Sequence, residues 1–452
     1  MFGGGGDLGG KGLRMPLMET LRRAWADPEL KPRLLFILAM FAVYALGVHI
    51  TVPIPGIDPT KMTELLKDIS FFNLLNMFGG GALRRISIFA LGLNPYITSS
   101  IIMQILTTAI PEWKKELQEG GEYARRKQNK RIRALTLALC FAQGWGLVQM
   151  MATRIDTLRT LSAQLTVLVF WTAGAMFVLW LGEQISERGI GNGVSLMIFA
   201  GIVISLPTQG KMIVDALANN LVTWWQVALL IAVFLATTWV IVYFTTAQRR
   251  IPIQHMRRMV GTKAIGGQTS YLPLSVNMAG VIPIIFAVSL VYIPAQFQAM
   301  FAPGTVPYDV LDWITRHSSP SAEVPYCFIG WFIYALLIFF FTYFYTAIQY
   351  NVEDIANNLK RGGSFIPGVR PGKQTRDFLD GVISRITVVG AFFLSIVALT
   401  QYVAPVAIQA LQRGTQQLSG MTVLGGTSLL IMVSVALETM RQIEASVLMK
   451  NY

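Results

Sequence analysis

Two pairs of aliphatic residues and three arginines are the side chains best placed to act on something outside this chain. Leu93 and Ile97 stand four residues apart, as do Val194 and Ile198, a spacing that puts each pair on one face of a helix. Such pairs are ordinarily plain packing or lipid contact. Both, however, adjoin helix breakers: Gly92, Asn94 and Pro95 for the first, the GIGNG turn of Gly189 to Gly193 for the second. Irregular backbone at membrane depth survives where it lines a cavity or packs on protein. A narrow layer of branched aliphatics there gates by dewetting and seals around a passing chain. Arg249 and Arg250 open the motif QRRIP, and Arg370 is bracketed by Pro367, Gly368, Pro371 and Gly372. Charge runs usually serve a solvated or lipid-facing surface. An arginine held on a stiff turn suits docking to an acidic or phosphate-bearing partner instead.

Covalent chemistry is not expected. Cys140 and Cys327 sit in or beside apolar runs, and His49, His255 and His317 are scattered. No metal-ligand spacing and no disulfide framework emerge, and no nucleophile–base constellation is visible. The sequence therefore gives no reason to expect an enzyme, a metal or any other cofactor.

The elements that must position these residues are membrane spans. Hydrophobic residues make up 53% of the 452-residue chain and charged residues 13%. Many apolar runs reach the roughly 20 residues that cross a bilayer. The length criterion predicts ten spans, near 33–52, 84–110, 132–151, 161–182, 192–207, 222–247, 275–300, 325–350, 384–407 and 424–447. The segment 192–207 is short, which suggests a tilted or partly re-entrant helix. The opening MFGGGGDLGGKG has no apolar core of the kind a signal peptide needs, so residues 1–32 read as a disordered cytoplasmic tail. Lys and Arg number 37 against 24 Asp and Glu, a net charge of +13. Roughly three quarters of those basic residues fall on alternate connections, which places both termini in the cytoplasm and invites contact with anionic lipids. The cytoplasmic connections 244–274 and 351–383 read as long, basic and turn-rich. Five spans in each half, 33–210 and 211–452, imply two halves related by inversion in the membrane plane.

Phe71 to Ile110 is the stretch around which the rest is organised. FFNLLNMF (71–78) is too short to span, Gly79 to Gly81 hinge it, and Arg84 and Arg85 precede an apolar segment interrupted by Gly92, Asn94 and Pro95. The short helix is either an interfacial element or a re-entrant plug lying inside protein.

By these boundaries the first nine spans hold no Asp, Glu or Lys in their apolar interiors. Coupled carriers place ionisable groups at mid-membrane, so a passive channel is favoured over the alternative, a secondary carrier for a small solute. Glu438, Arg441 and Glu444 can pair along one helix face near the cytoplasmic surface. Thr98, Gln143 and Asn277 are polar positions in spans two, three and seven. Each is either a simple helix–helix hydrogen bonder or part of a seam that must open.

GGALRRISIFALGLNPYI, WLGEQISERGIGNGVSLMIFAGI, LPLSVNMAGVIP, NVEDIANNLKRGGSFIPGVRPGKQT and LGGTSLL closely resemble the bacterial SecY family, the central subunits of the protein-conducting translocon. The resemblance covers nearly the whole chain. It implies an all-α fold of ten transmembrane helices in two inverted pseudo-symmetric halves, in the cytoplasmic membrane. It implies a pore ring of Leu93, Ile97, Val194, Ile198, Ile285 and Ile431. A plug over 71–85 would be built on Phe71, Phe72, Leu74, Leu75, Met77 and Phe78. The seam of spans two and three against seven and eight would be a lateral gate, with Thr98, Gln143 and Asn277 in it. Arg249, Arg250 and Arg370 would dock the ribosome or the SecA motor. SecE and SecG are the implied subunits, and secretory and membrane polypeptides with signal sequences the implied substrates. One departure stands out: Gly261 is followed by Thr262 and Lys263 where the family carries paired arginines.

Overall fold

The computed structural model describes residues 17–53, 79–83, 85–152, 155–219, 223–255, 258–260, 263–265, 269–298, 301, 304–320, 327–411 and 425–450. Helices dominate: α1 (Leu17–Ala26), α2 (Leu30–His49), α3 (Asn94–Ala109), α4 (Pro111–Glu119), α5 (Gly121–Ala152), α6 (Leu161–Arg188), α7 (Gly193–Ala218), α8 (Trp224–Thr246), α9 (Ile282–Gln298), α10 (Val306–Ser318), α11 (Cys327–Gln349), α12 (Val352–Arg361), α13 (Lys373–Leu411) and α14 (Gly426–Lys450). A helix falls on each of the ten expected spans: α2, α3, α5 to α9, α11, α13 and α14. Among the described residues, the seven starting at Leu30, Gly121, Leu161, Gly193, Trp224, Cys327 and Lys373 are long and apolar enough to cross a membrane. This is a multi-pass membrane protein.

Several boundaries differ from the sequence reading, each for a physical reason. The second span does not start at residue 84. Its helix begins at Asn94, with Pro95 in the first turn, where a missing N–H costs nothing. Residues 79–83, 85–86 and 88–93 are turns, with Ser87 bridging to Thr51 and with Gly80 at φ +66° and Gly92 at φ +53°, values that glycine adopts without strain. The third span's helix starts at Gly121, so its basic first turns, with Arg125, Arg126, Lys127, Lys130 and Arg131, extend beyond the apolar run. Nor is the fifth short: α7 carries Pro207 in its interior and continues to Ala218. Asn277 is not in a helix, since α9 begins at Ile282.

The two long connections are also more ordered than turn-rich loops. Strands β1 (Gln248–His255), β2 (Arg258–Val260), β3 (Lys263–Ile265), β4 (Thr269–Ser275) and β5 (Ser364–Phe365) occupy them. Three of these form an antiparallel sheet of order β4-β1-β5. Gln248 pairs with Ser275 and Gln254 with Thr269, while Gln254 and His255 pair with Phe365 and Ser364. Ile251 and Ile253 alternate inward along β1, as a half-buried strand requires. Ile251 packs in a cluster with Leu274, Met278, Ile366, Leu379 and Ile383. The helical reading therefore holds for the spans, and β structure is confined to the connections.

One continuous apolar core runs through the helices. Within it, α5 packs on α3 and α6, and α6 on α7; further along, α9 packs on α11, α11 on α13, and α13 on α14. The approach of α6 to α7 is the tightest: a Cβ on Gly193 would lie 1.8 Å from the carbonyl oxygen of Gly182. Small residues of this kind let helix backbones touch where the hydrophobic effect offers little.

Candidate functional site

The turns at 79–93 set the geometry from which the site is built. Val52 donates its backbone N–H to the Ile86 carbonyl at 2.9 Å, Ile88 donates to Ile50 at 3.0 Å, and the Ser87 hydroxyl donates to Gly47 at 2.8 Å. These bonds pin the stretch to the end of α2. Phe89 stacks on Tyr44 with centroids 5.8 Å apart and covers Gly47, while the Ile88 carbonyl lies against Gly174 of α6. Gly80 rests on α7, close to the Gly201 carbonyl and Ile204. Ala82, Leu83, Ile86, Phe89 and Leu91 are all buried. The expectation that irregular backbone here packs on protein is met. The six plug positions, Phe71, Phe72, Leu74, Leu75, Met77 and Phe78, and the neighbouring Arg84 lie outside the described residues.

Leu93 is the residue at which this stretch turns into α3, and its carbonyl accepts from the Ile97 N–H at 3.0 Å. On α7 the Asn192 side chain caps the start, accepting from the backbone N–H groups of Val194 at 3.1 Å and Ser195 at 3.3 Å. This satisfies N–H groups that a helix start leaves open. The Ser186 hydroxyl accepts from Gly193 N–H at 2.8 Å and ties that start to α6. Ile285 lies in the first turn of α9 and Ile431 in the second turn of α14. Leu93, Ile97, Ile198 and Ile431 are buried, and Val194 and Ile285 are partly buried against the same apolar core. All six sit within two turns of a helix start, on four different helices. Chemically they offer a layer without a hydrogen-bonding side chain.

Beside that layer α9 packs against both α3 and α5, while on another flank α7 packs against α14. The α9 contact is the seam expected from spans two, three and seven. Thr98 is buried on α3, and its hydroxyl donates back to the Asn94 carbonyl at 3.1 Å, so it is satisfied within its own helix. Gln143 is half-buried on α5. Asn277, on the bend between β4 and α9, is buried, and neither the oxygen nor the nitrogen of its amide finds a hydrogen-bond partner among the described residues.

The arginines lie on the sheet and turn that precede α9 and α13 in the chain. Arg249 and Arg250 are exposed on β1 and not on a turn; as consecutive strand residues they point to opposite faces of the sheet. Arg370 is exposed on a turn whose carbonyl accepts from the Thr375 hydroxyl at 2.9 Å, between Gly368 at φ +81° and Gly372 at φ +107°. The sheet joins both sets. His255, at the end of β1, contacts the Ser364 hydroxyl through Nδ1 at 2.7 Å and the Ser270 hydroxyl through Nε2 at 3.2 Å. Sequence reading missed this clasp and the sheet around it; the alternation of Ile251 and Ile253 with polar neighbours was the available signal. Arg441 on α14 donates to the Thr245 carbonyl at the end of α8, 3.2 Å away.

Nearby, α4 and α5 form a charged hairpin. Glu116 pairs with Lys127 and with Arg131, the latter at 3.2 Å, and the Arg131 guanidinium lies 4.4 Å from the Trp113 ring. The Lys127 hydrogen bond, with the charges of Lys127 and Arg131, holds the Glu116 carboxyl below its ordinary pKa. Among the described residues, no group of His, Cys, Asp and Glu is arranged to hold a metal ion.

A family model described as SecY matches residues 87–440. The protein translocase subunit SecY of Streptomyces coelicolor is 39% identical, over 96% of this chain and 99% of that protein. The subunit of the same name from Corynebacterium glutamicum is also 39% identical, with the same coverage. A Staphylococcus aureus relative is 37% identical over 96% of this chain. Among solved structures, a protein-conducting channel superposes with a TM-score of 0.62 at 18% identity, over 90% of both chains. A structure concerned with the SecY plug domain reaches 0.64 at 18% identity. Sec61 in the canine ribosome–channel complex from the endoplasmic reticulum reaches 0.61 at 16%. At such identities the structural likeness speaks for the fold.

Proposed function

The chain belongs to the SecY family, and from that premise we propose how its geometry serves a protein translocase. It is a protein-conducting channel subunit: secretory polypeptides cross the membrane through it, and apolar segments leave it sideways into lipid. The curated relatives carry the translocase name, and no observation favours the solute carrier.

What supports the mechanism is that Leu93, Ile97, Val194, Ile198, Ile285 and Ile431, from four helices, are apolar, buried or partly buried, and all belong to the one continuous core. We assign these six as the constriction. A fixed hole wide enough for a polypeptide would leak ions; a layer of aliphatic side chains resists wetting and moves aside for a chain of any sequence. Residues 71–85 serve as the plug over it, with Gly79 to Gly81 as its hinge. The contact of α9 with α3 and α5 is the lateral gate, bordered by Thr98, Gln143 and Asn277. Arg249, Arg250 and Arg370 dock a ribosome or the SecA motor, SecE and SecG complete the complex, and basic connections rest on anionic lipid. Both termini lie in the cytoplasm, the membrane is the cytoplasmic one, and 33–210 and 211–452 are the two inverted halves.

Single-channel conductance in planar bilayers, with no ribosome or motor, tests the ring. Replacing Ile97 and Ile198 together with Ser makes the layer wettable, and resting ion conductance rises. A double variant as ion-tight as the parent would place the constriction elsewhere.

A further inference from the structure

Helix α10 joins the ends of α9 and α11 on the membrane face opposite the sheet, and it carries an apolar stripe that the described residues leave largely exposed, the His317 ring alone stacking on Trp313 with centroids 4.5 Å apart. Val306, Val310 and Trp313 are 76%, 52% and 63% exposed, and their spacing of four and three residues puts them on one helix face. None of the helix's residues is fully buried. Its inner side, with Tyr308, Leu311 and Ile314, is half-buried where it packs on α9 and α11. Asp309 and Arg316, both exposed, flank the stripe.

The helix is held in place at its middle and at its C-terminal end. Gln298, the last residue of α9, donates to the Asp312 carboxylate at 2.9 Å, and Asp312 also pairs with Arg316 at 2.7 Å. Trp331 of α11 donates its indole N–H to the Pro320 carbonyl at 2.9 Å, and Gly330 lets the Ser319 carbonyl come close. The two spans to which the helix is tied also expose apolar side chains near their junctions with it, Phe297 on α9 and Phe328, Ile329 and Phe332 on α11. In a multi-pass protein that surface faces lipid.

We propose that α10 lies in the headgroup layer of the bilayer, with Val306, Val310 and Trp313 sunk to the acyl boundary, and that it thereby fixes the depth of the ends of α9 and α11. Three features single out lipid as the occupant. The helix is packed on two spans that expose apolar side chains where they meet it; the stripe carries a Trp, the side chain that favours the membrane–water interface; and the charged edge of Asp309 and Arg316 stays in water while the apolar face enters by about 5–10 Å. The inference needs only that α9 and α11 cross the membrane, so it stands or falls apart from the channel reading.

The test uses the full chain with its partner subunits in vesicles of phosphatidylethanolamine and phosphatidylglycerol. Nitroxide labels go on Val310→Cys and Asp309→Cys, one per sample; the native Cys140 and Cys327 are buried and compete little. Relaxation by oxygen, which concentrates in lipid, is compared with relaxation by a water-soluble nickel chelate. At 310 oxygen should dominate by several-fold, and at 309 the chelate. Equal chelate access at both positions would put α10 in water. Protection of 310 from both reagents would put it under protein, a second copy or another chain. Either result overturns the proposal. A label on Phe297→Cys reports the anchoring: adding Val310→Asp should move it toward water, and an unchanged depth would refute the claim that α10 fixes the end of α9.

Discussion

Replacing Asn277 with Leu should make the seam harder to open. In the structure the Asn277 amide is buried and neither its oxygen nor its nitrogen has a partner among the described residues. Leaving a buried amide unsatisfied costs about 1–3 kcal/mol. Water entering an opened seam supplies the missing bonds, so the native residue carries its penalty in the closed arrangement and is relieved of it in the open one. Leucine has nearly the same size and no such penalty. With about 2 kcal/mol removed from the closed side, the open population should fall roughly 30-fold, since 1.4 kcal/mol is a factor of ten. The assay is an insertion series in which guest segments carry a graded number of leucines and are scored as integrated or translocated. Each leucine contributes about 0.3–0.6 kcal/mol toward insertion, so the midpoint should rise by roughly four leucines. Asn277→Ala should shift it in the same direction but less, because the smaller side chain leaves a gap. A midpoint within one leucine of the parent, or one that falls, would refute the reasoning and leave Asn277 as a tolerated structural defect.

Three further outcomes are open to measurement. Gly193→Ala should lower the midpoint of thermal unfolding in detergent by an amount equivalent to about 1–3 kcal/mol of overpacking, because the new methyl meets the rigid Gly182 carbonyl. Gly210→Ala, where the added carbon meets nothing within 4 Å, should not lower it, and equal loss in both would remove the close approach as the cause. Arg370→Glu should weaken motor-driven or ribosome-coupled translocation while the protein still inserts, and normal transport would exclude the docking role. For Glu116 the folded pKa is depressed, so its ion pairs act in full above the ordinary value near 4.5 and fade only as the pH falls through the lowered one. Spin-label distances between α4 and α5 should therefore hold steady from pH 7 to pH 5 and spread only at a pH below the ordinary 4.5; spreading at pH 6 would contradict the assignment.

The spans were legible because their signal is length: twenty apolar residues can be counted, and a helix falls on every counted segment. Their ends were not, because polar residues near a boundary do not say whether the helix stops or runs on. Helix α5 runs on through five basic residues outside the apolar run, whereas the apolar residues before Asn94 are turns. Gly92 and Pro95 marked that break, yet the hydrophobicity of Ile86 to Leu91 argued for continuing the span; burial in protein explains how those residues are both apolar and irregular. The sheet escaped notice because β1 opens on charged residues and carries a Pro in its interior, both poor strand signals, and its partner β5 lies 109 residues away along the chain for the His255–Ser364 contact. The ring pairs on α3 and α7 could be picked out by their neighbouring breakers. Ile285 and Ile431 have no such marker, and only the family resemblance pointed to them.

The small sheet also has a mechanical consequence. Strands β1 and β4 run antiparallel over seven pairs, one leading out of α8 and the other into α9, so a load applied at the far end of the hairpin reaches both helices along covalent chain. Between β4 and α9 lie only the six residues 276–281, packed on α13, which leaves little slack to absorb a push. The joint to the other connection has far fewer hydrogen bonds: two residue pairs and the His255–Ser364 contact, over the apolar packing of Ile251 with Ile366. Under strain that joint should yield first, as a fuse does. The hairpin would then deliver thrust to α9 while the Arg370 turn stays behind on α13.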